Sequence, residues 1–106
     1  MSNIKVEFIR NFSEYTVGYE YDRPFNSKKE LLNYVMKNYP TLYESLLKGL
    51  ETISPNAYYF RLFSYKGKFK NSLMIDYEFS LFNGTEFQAY MFIYPNLVVI
   101  DPFEIY

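Results

Sequence analysis

Apolar and polar positions alternate in two runs across residues 75–93, and Asn83-Gly84 separates the runs. Such alternation is typical of strands with one buried face, and Asn-Gly favours a tight hairpin turn. A two-residue turn would mix apolar and polar side chains on both faces. A three-residue loop of Phe82, Asn83 and Gly84 separates them, so we predict a G1 bulge with Gly84 in a left-handed conformation. The predicted cross-strand pairs are Phe79 with Phe87, Tyr77 with Ala89, Ile75 with Met91, Ser80 with Glu86, Glu78 with Gln88, Asp76 with Tyr90, and Met74 with Phe92.

The same alternation predicts four more strands. The segments "IKVEFI" (residues 4–9) and "YTVGYEY" (residues 15–21) suggest a first hairpin that turns near residues 10–14. Phe60 and Leu62 share one side of a third strand, and Gly67 indicates the turn that follows it. The segment "YPN" (residues 94–96) precedes a sixth strand, "LVVI" (residues 97–100).

A helical period replaces the alternation between the second and third strands. Ser27 and Glu30 have the spacing of a capping box, and apolar residues then recur at helical intervals. Pro40 is expected to end that helix, since it clashes with a continuing helical backbone. Thr41 and Glu44 repeat the capping-box spacing. We therefore predict two short helices with a bend at Pro40.

These elements predict an α+β fold in one domain that covers residues 1–106. Its order is ββ-αα-ββββ, and the sheet has six mainly antiparallel strands. Because both helices are consecutive, the simplest arrangement packs the two-helix segment on one sheet face. The other face is then expected to be partly open, in a two-layer structure.

Composition excludes several kinds of chemistry. The chain has neither cysteine nor histidine, which removes thiolate nucleophiles, Ser-His pairs and ordinary zinc sites. We expect no enzyme activity and no cofactor. The N-terminal residues have no apolar run like that of a signal peptide, and no segment is long and apolar enough to cross a membrane. The expected location is the cytoplasm.

Carboxylates on the opening hairpin are a candidate metal site. Glu78, Glu86 and Gln88 share one face in the predicted register, and hard cations such as magnesium bind carboxylate oxygens. A solvated polar strand face explains the same pattern with no ligand. We favour that interpretation and predict no metal.

Aromatic residues make up 23% of the chain, with 13 tyrosines and 11 phenylalanines. One small core does not readily bury that many rings, and tyrosine is favoured at protein contacts. On the open face, Met74, Tyr90, Phe92 and Tyr94 form a predicted partner-binding patch. Codon bias explains the same tyrosines as half-buried side chains without a function. The small size and the residues with AT-rich codons favour a phage or viral accessory protein. We expect it to inhibit a host defence complex.

The alternative function is binding of single-stranded nucleic acid. Basic and aromatic residues interleave in the hairpin at residues 61–70, where lysines could contact phosphates and rings could stack on bases. The formal net charge of −1 argues against general affinity for nucleic acid. The candidate residues are Arg61, Tyr65, Lys66, Lys68, Phe69 and Lys70. An ordinary lysine-rich hairpin loop, which keeps a sheet edge soluble, explains the same pattern without a ligand, and we favour that interpretation.

Overall fold

The computed structural model describes residues 3–8, 18–65, 71–80 and 84–101. The predicted α+β architecture is confirmed, with a six-stranded, mostly antiparallel sheet and two helices packed on it. The elements are β1 (Lys5–Phe8), β2 (Tyr19–Phe25), α1 (Lys28–Asn38), α2 (Tyr43–Thr52), β3 (Tyr59–Tyr65), β4 (Leu73–Ser80), β5 (Glu86–Tyr94) and β6 (Leu97–Ile100). We call the sheet face that carries the helices the inner face and the opposite one the outer face.

The strand order across the sheet is β1-β6-β5-β4-β3-β2. The predicted hairpin of the first two strands is wrong, because β1 and β2 lie at opposite edges. β1 instead runs parallel to β6, with Val6 beside Val98, and this position lets Ile4 and Val6 pack against the inner core. The turn predicted near residues 10–14 lies outside the described residues, as do Gly67 and the turn predicted there.

β2 continues past the predicted end at Tyr21 and reaches Phe25. An irregularity between Tyr21 and Arg23 shifts its pairing with β3, and it places Phe25 in the inner core. Pro24 is tolerated here because β2 is an edge strand, where a missing backbone donor need not break a ladder.

The predicted register of β4 and β5 is confirmed at every pair, from Met74 beside Phe92 to Ser80 beside Glu86. Gly84 has the predicted positive φ, at 87°. Phe82 and Asn83 lie outside the described residues. The register follows from the local loop and from the way it sorts side chains between two faces.

Replacing Gly84 by valine is expected to lower the free energy of unfolding by more than about 1 kcal/mol, because β-branched residues rarely adopt positive φ. Among the described residues other than its chain neighbours, no heavy atom lies within 4 Å of a Cβ built at this position, so we assign the cost to the backbone and not to a clash. Gly84→Asn is the control, since asparagine tolerates this conformation. Equal losses for both variants in urea denaturation would contradict this account.

The helical segment begins at the predicted cap. Ser27 Oγ accepts a hydrogen bond from the backbone N–H of Glu30 at 3.1 Å. The bend at Pro40 is a short 3₁₀ helix, Pro40–Leu42. The predicted second capping box is wrong: α2 has Leu42 at its N-cap position, without a side-chain cap, and the Thr41 hydroxyl donates to Asn71 Oδ1 at 3.3 Å.

The inner core forms where α1 and α2 lie over the sheet. Gly49 of α2 allows a close approach to the sheet, because a Cβ at this position would lie 2.5 Å from Met91 Sδ and 3.2 Å from Val98 Cγ1. Leu46 and Leu50 flank this contact and are buried. In the described parts of the chain, no helix has both the length and the apolar character of a membrane span.

Candidate functional site

The outer face of the sheet carries two different groups of side chains. Apolar and aromatic residues lie on the half of the face near the end of β5 and the start of β6. Charged and amide side chains lie on the other half, nearer the loop that joins β4 to β5. The sequence predicted this change from charged to aromatic side chains along β4 and β5. On β3 the charged Arg61 and the aromatic Phe63 follow the same order.

The apolar half contains a second buried cluster, which we call the outer cluster. Met74, Phe92 and Val99 form its buried centre, and Phe92 is 0% exposed. Its half-buried surroundings are Tyr19, Phe63, Tyr90, Tyr94 and Leu97. The structure thus brings together the four predicted patch residues. The exposure expected for Met74 and Phe92 is wrong, whereas Tyr90 and Tyr94 are partly exposed.

Tyr19 helps to cover the outer cluster from the far edge of the sheet. Its ring centroid lies 5.6 Å from that of Phe92, in an edge-on arrangement. Its hydroxyl shares a 2.7 Å hydrogen bond with Ser72 Oγ, and its ring also contacts Tyr65 at 5.2 Å. Because β3 and β4 separate β2 from β5, the Tyr19 ring reaches across two strands to contact Phe92.

Gly18 is the residue that lets Tyr19 enter this position. It has a φ of 92°, which favours glycine. A Cβ at Gly18 would also lie 2.5 Å from the Tyr65 ring. Backbone conformation and space thus both require glycine here.

An exposed ring pair borders the outer cluster. Tyr21 is 53% exposed, and its ring lies edge-on to Phe63 with centroids 5.4 Å apart. Phe63 pairs with Met74 across β3 and β4, so the buried centre supports the pair from below. We use the name aromatic rim for the partly or fully exposed rings of this face: Tyr21, Phe63, Tyr65, Tyr90 and Tyr94.

An ion pair between Arg61 and Asp76 lies in the polar half of the outer face. Asp76 is buried, and Arg61, its direct neighbour on β3, donates from Nε at 3.1 Å and from Nη2 at 2.7 Å to Asp76 Oδ2. Gln88 Nε2 lies 2.6 and 2.7 Å from the two carboxylate oxygens. Burial alone would lower the pKa of Arg61, but the charge and hydrogen bonds of Asp76 raise it overall.

This ion pair engages Arg61, one of the residues of the predicted nucleic-acid site. Arg61 already binds Asp76, so contact with a phosphate would have to compete with a carboxylate. Tyr65 packs against Tyr19. Four of the predicted residues lie outside the described residues: Lys66, Lys68, Phe69 and Lys70.

The carboxylates of the candidate metal site lie beside a tyrosine. The Tyr58 hydroxyl donates to Glu86 Oε1 at 2.6 Å and lies 3.5 Å from Glu78 Oε1. Gln88 is engaged with Asp76 and not with these glutamates. In the part of the chain that the structure describes, no three His, Cys, Asp or Glu residues are grouped to hold a metal ion.

The hydrogen bond to Glu86 raises the pKa of Tyr58 to about 12. Because the folded-state pKa lies above the ordinary value of about 10, this bond stabilises the fold below pH ~10 and is lost as the pH rises toward 12. The difference in absorbance at 295 nm between the wild type and Tyr58→Phe is expected to titrate near pH 12. In the Glu86→Gln background the midpoint should fall toward 10, and an unchanged midpoint would contradict the assignment.

Sequence reasoning missed Tyr19, Tyr21 and the Arg61–Asp76 pair as parts of this face. The alternation in "YTVGYEY" (residues 15–21) puts Tyr19 and Tyr21 on one side of a strand, which is a usable signal. Their neighbours depend on the pairing of β2 with β3. The ion pair depends on the register of β3 with β4, which no local pattern predicted.

Comparisons with protein-family models, with curated proteins and with solved structures found no match. The proposed function therefore depends on the geometry of this chain.

Proposed function

We propose that the protein is a small, non-enzymatic binding factor that recognises another protein through the aromatic rim. The observation that carries this proposal is the Tyr21–Phe63 ring pair. Tyr21 is more than half exposed, and Phe63 is half-buried against the buried centre of the outer cluster. Tyrosine and phenylalanine are both enriched at protein interfaces, and tyrosine is among the residues that most often dominate the binding energy.

The fixed position of Tyr19, which packs against the rim residue Tyr65, supports the proposal. The Tyr19 hydroxyl is fixed by Ser72, and its ring contacts both Tyr65 and Phe92. Rings held in place before binding lose little conformational entropy when a partner contacts them. Met74 and Phe92 are assigned a supporting role in this revised site, because they are buried below the contact surface.

The finer proposal concerns the biological setting. We infer that the chain acts in the cytoplasm of a host cell as a phage or viral accessory protein, and that it inhibits a defence complex there. The grounds are its small size, its aromatic and asparagine-rich composition and its lack of cysteine and histidine. These features suit a protein that acts by occupying a surface.

The test compares two surfaces of the same molecule. Tyr21→Ser and Phe63→Ser are introduced together in a tagged chain, and Met36→Ser serves as the matched control. Met36 lies on α1 and is 52% exposed, so the Met36→Ser substitution removes an exposed apolar side chain from the helical layer. A partner captured by the wild type and by the control, but lost from the rim variant, is the expected result.

Circular dichroism and thermal unfolding must first show that all three proteins are folded. Equal capture by folded rim and control variants would refute the rim as the contact surface. A partner that proves to be single-stranded nucleic acid would also refute the proposal. Its capture would weaken steeply as the salt concentration rises.

A further inference from the structure

β1 ends the sheet with an exposed apolar ring. In the described part of the chain, β6 is the strand that pairs with β1, and no strand lies on its other side. Phe8 is 46% exposed, and Lys5 and Glu7 are also exposed. An open edge of this kind presents unpaired backbone groups that can pair with another chain.

The direction of the free backbone groups follows from one hydrogen bond. The Lys5 N–H donates to the carbonyl of Asn96 at 3.0 Å, toward β6. In a strand the N–H and C=O of one residue point to the same side, and those of the next residue point to the other. The groups of Ile4, Val6 and Phe8 therefore point to the open edge. An added antiparallel strand must form its hydrogen bonds with these residues.

We propose that β1 pairs antiparallel with β1 of a second copy of the chain, around a two-fold axis at Val6. Val6 then faces its own counterpart, and Ile4 faces Phe8 of the second copy. Lys5 faces Glu7 of the second copy at a position without hydrogen bonds, where cross-strand side chains come closest. Two symmetry-related ion pairs form in this way.

Charge complementarity selects this register among those that the backbone permits. A shift of one residue would turn the bonding groups away from each other. A shift that centres the axis on Lys5 places the two Lys5 side chains opposite each other, and a shift to Glu7 does the same for the glutamates. Like charges directly opposite are destabilising. The edge is thus self-complementary in one register and self-repelling in the two neighbouring ones.

A cleft beside β1 receives the exposed ring. Ile4 and Val6 pack against the inner core, so Phe8 of the second copy, opposite Ile4, lies on the same side of the joined sheet. A cleft of ≈ 260 Å³ opens there between β1 and α2, lined by Ile4, Glu44, Leu47, Lys48 and Glu51. In the dimer the ring lies against the two apolar residues of this cleft, Ile4 and Leu47, and the charged residues line the rest of its wall. The dimer thus covers part of the Phe8 ring that the monomer leaves exposed.

Sedimentation velocity of the full chain tests the proposal. Because one strand pair buries less than the ~1,000 Å² typical of stable interfaces, the monomer should convert to dimer only over roughly 10 μM to 1 mM. Lys5→Glu alone and Glu7→Lys alone should each weaken association by roughly tenfold, since both ion pairs become repulsive. The double swap should restore wild-type association, and the two single variants should associate with each other when mixed.

Val6→Pro is a second, independent variant. Its N–H faces the open edge and not β6, so an edge-strand proline is compatible with the monomer fold, while the central hydrogen bonds of the dimer are lost. We expect a folded monomer by circular dichroism. A wild type that stays monomeric over the whole concentration range would overturn the proposal. So would unchanged association of the Lys5→Glu variant.

Discussion

Phe92→Ala is expected to lower the free energy of unfolding by about 3–5 kcal/mol, the usual cost of removing a fully buried ring. Phe92 is 0% exposed although it lies on the sheet face without helices. Its ring contacts Tyr19 and forms the centre of the outer cluster. The variant would therefore lose a second core that is separate from the one beneath α1 and α2.

Tyr21→Ala is the control for this prediction, because Tyr21 is on the same face and is more than half exposed. It should cost less than about 1 kcal/mol. Urea denaturation at neutral pH measures both variants. Similar small losses would show that the outer cluster adds little stability, and the outer face would then be an ordinary open sheet surface.

Arg61→Met is expected to cost roughly 2–3 kcal/mol. The substitution leaves the buried Asp76 carboxylate with Gln88 as its remaining described side-chain partner. Removing one member of a buried pair commonly costs 3–5 kcal/mol, and the figure is reduced here because the Arg61 side chain is 31% exposed.

The double variant Arg61→Met/Asp76→Leu removes both charges of the ion pair and keeps apolar side chains of similar size in their place. Replacing a buried ion pair by apolar residues of similar size is often close to neutral, so much of the lost stability should return. A thermodynamic cycle built from denaturant midpoints measures this coupling. Additive losses from the two single substitutions would contradict the role assigned to the ion pair.

The sequence predicted the β4–β5 hairpin well because all the determinants are local. Gly84 defines the loop, and one register alone sorts the side chains of both strands. The position of β1 could not be predicted in this way. Alternation in "IKVEFI" (residues 4–9) suits pairing with any strand, and its actual partner, β6, is far along the chain.

The burial of residues on the outer face could not be predicted from the sequence pattern either. Alternation placed Phe92 and Met74 on the face opposite the core residues, but it carries no information on what lies above them. The contact of Tyr19 with Phe92 depends on the pairing of β2 with β3 and on the positive φ of Gly18 beside it. Likewise, the contact of Arg61 with Asp76 depends on the register of β3 with β4. The sequence of the connecting residues 66–70 does not predict that register.

The aromatic rim as a protein-binding surface is tested most directly by photo-crosslinking at single positions. A photoreactive phenylalanine analogue replaces Tyr21 on the rim in one sample and Met36 on α1 in another, and both proteins are irradiated in lysate of the cells in which the chain acts. We predict one dominant protein adduct from position 21, identified by mass spectrometry and absent from position 36. Adducts at position 36 alone, or the same adducts at both positions, would contradict the assignment of the outer face as the binding surface.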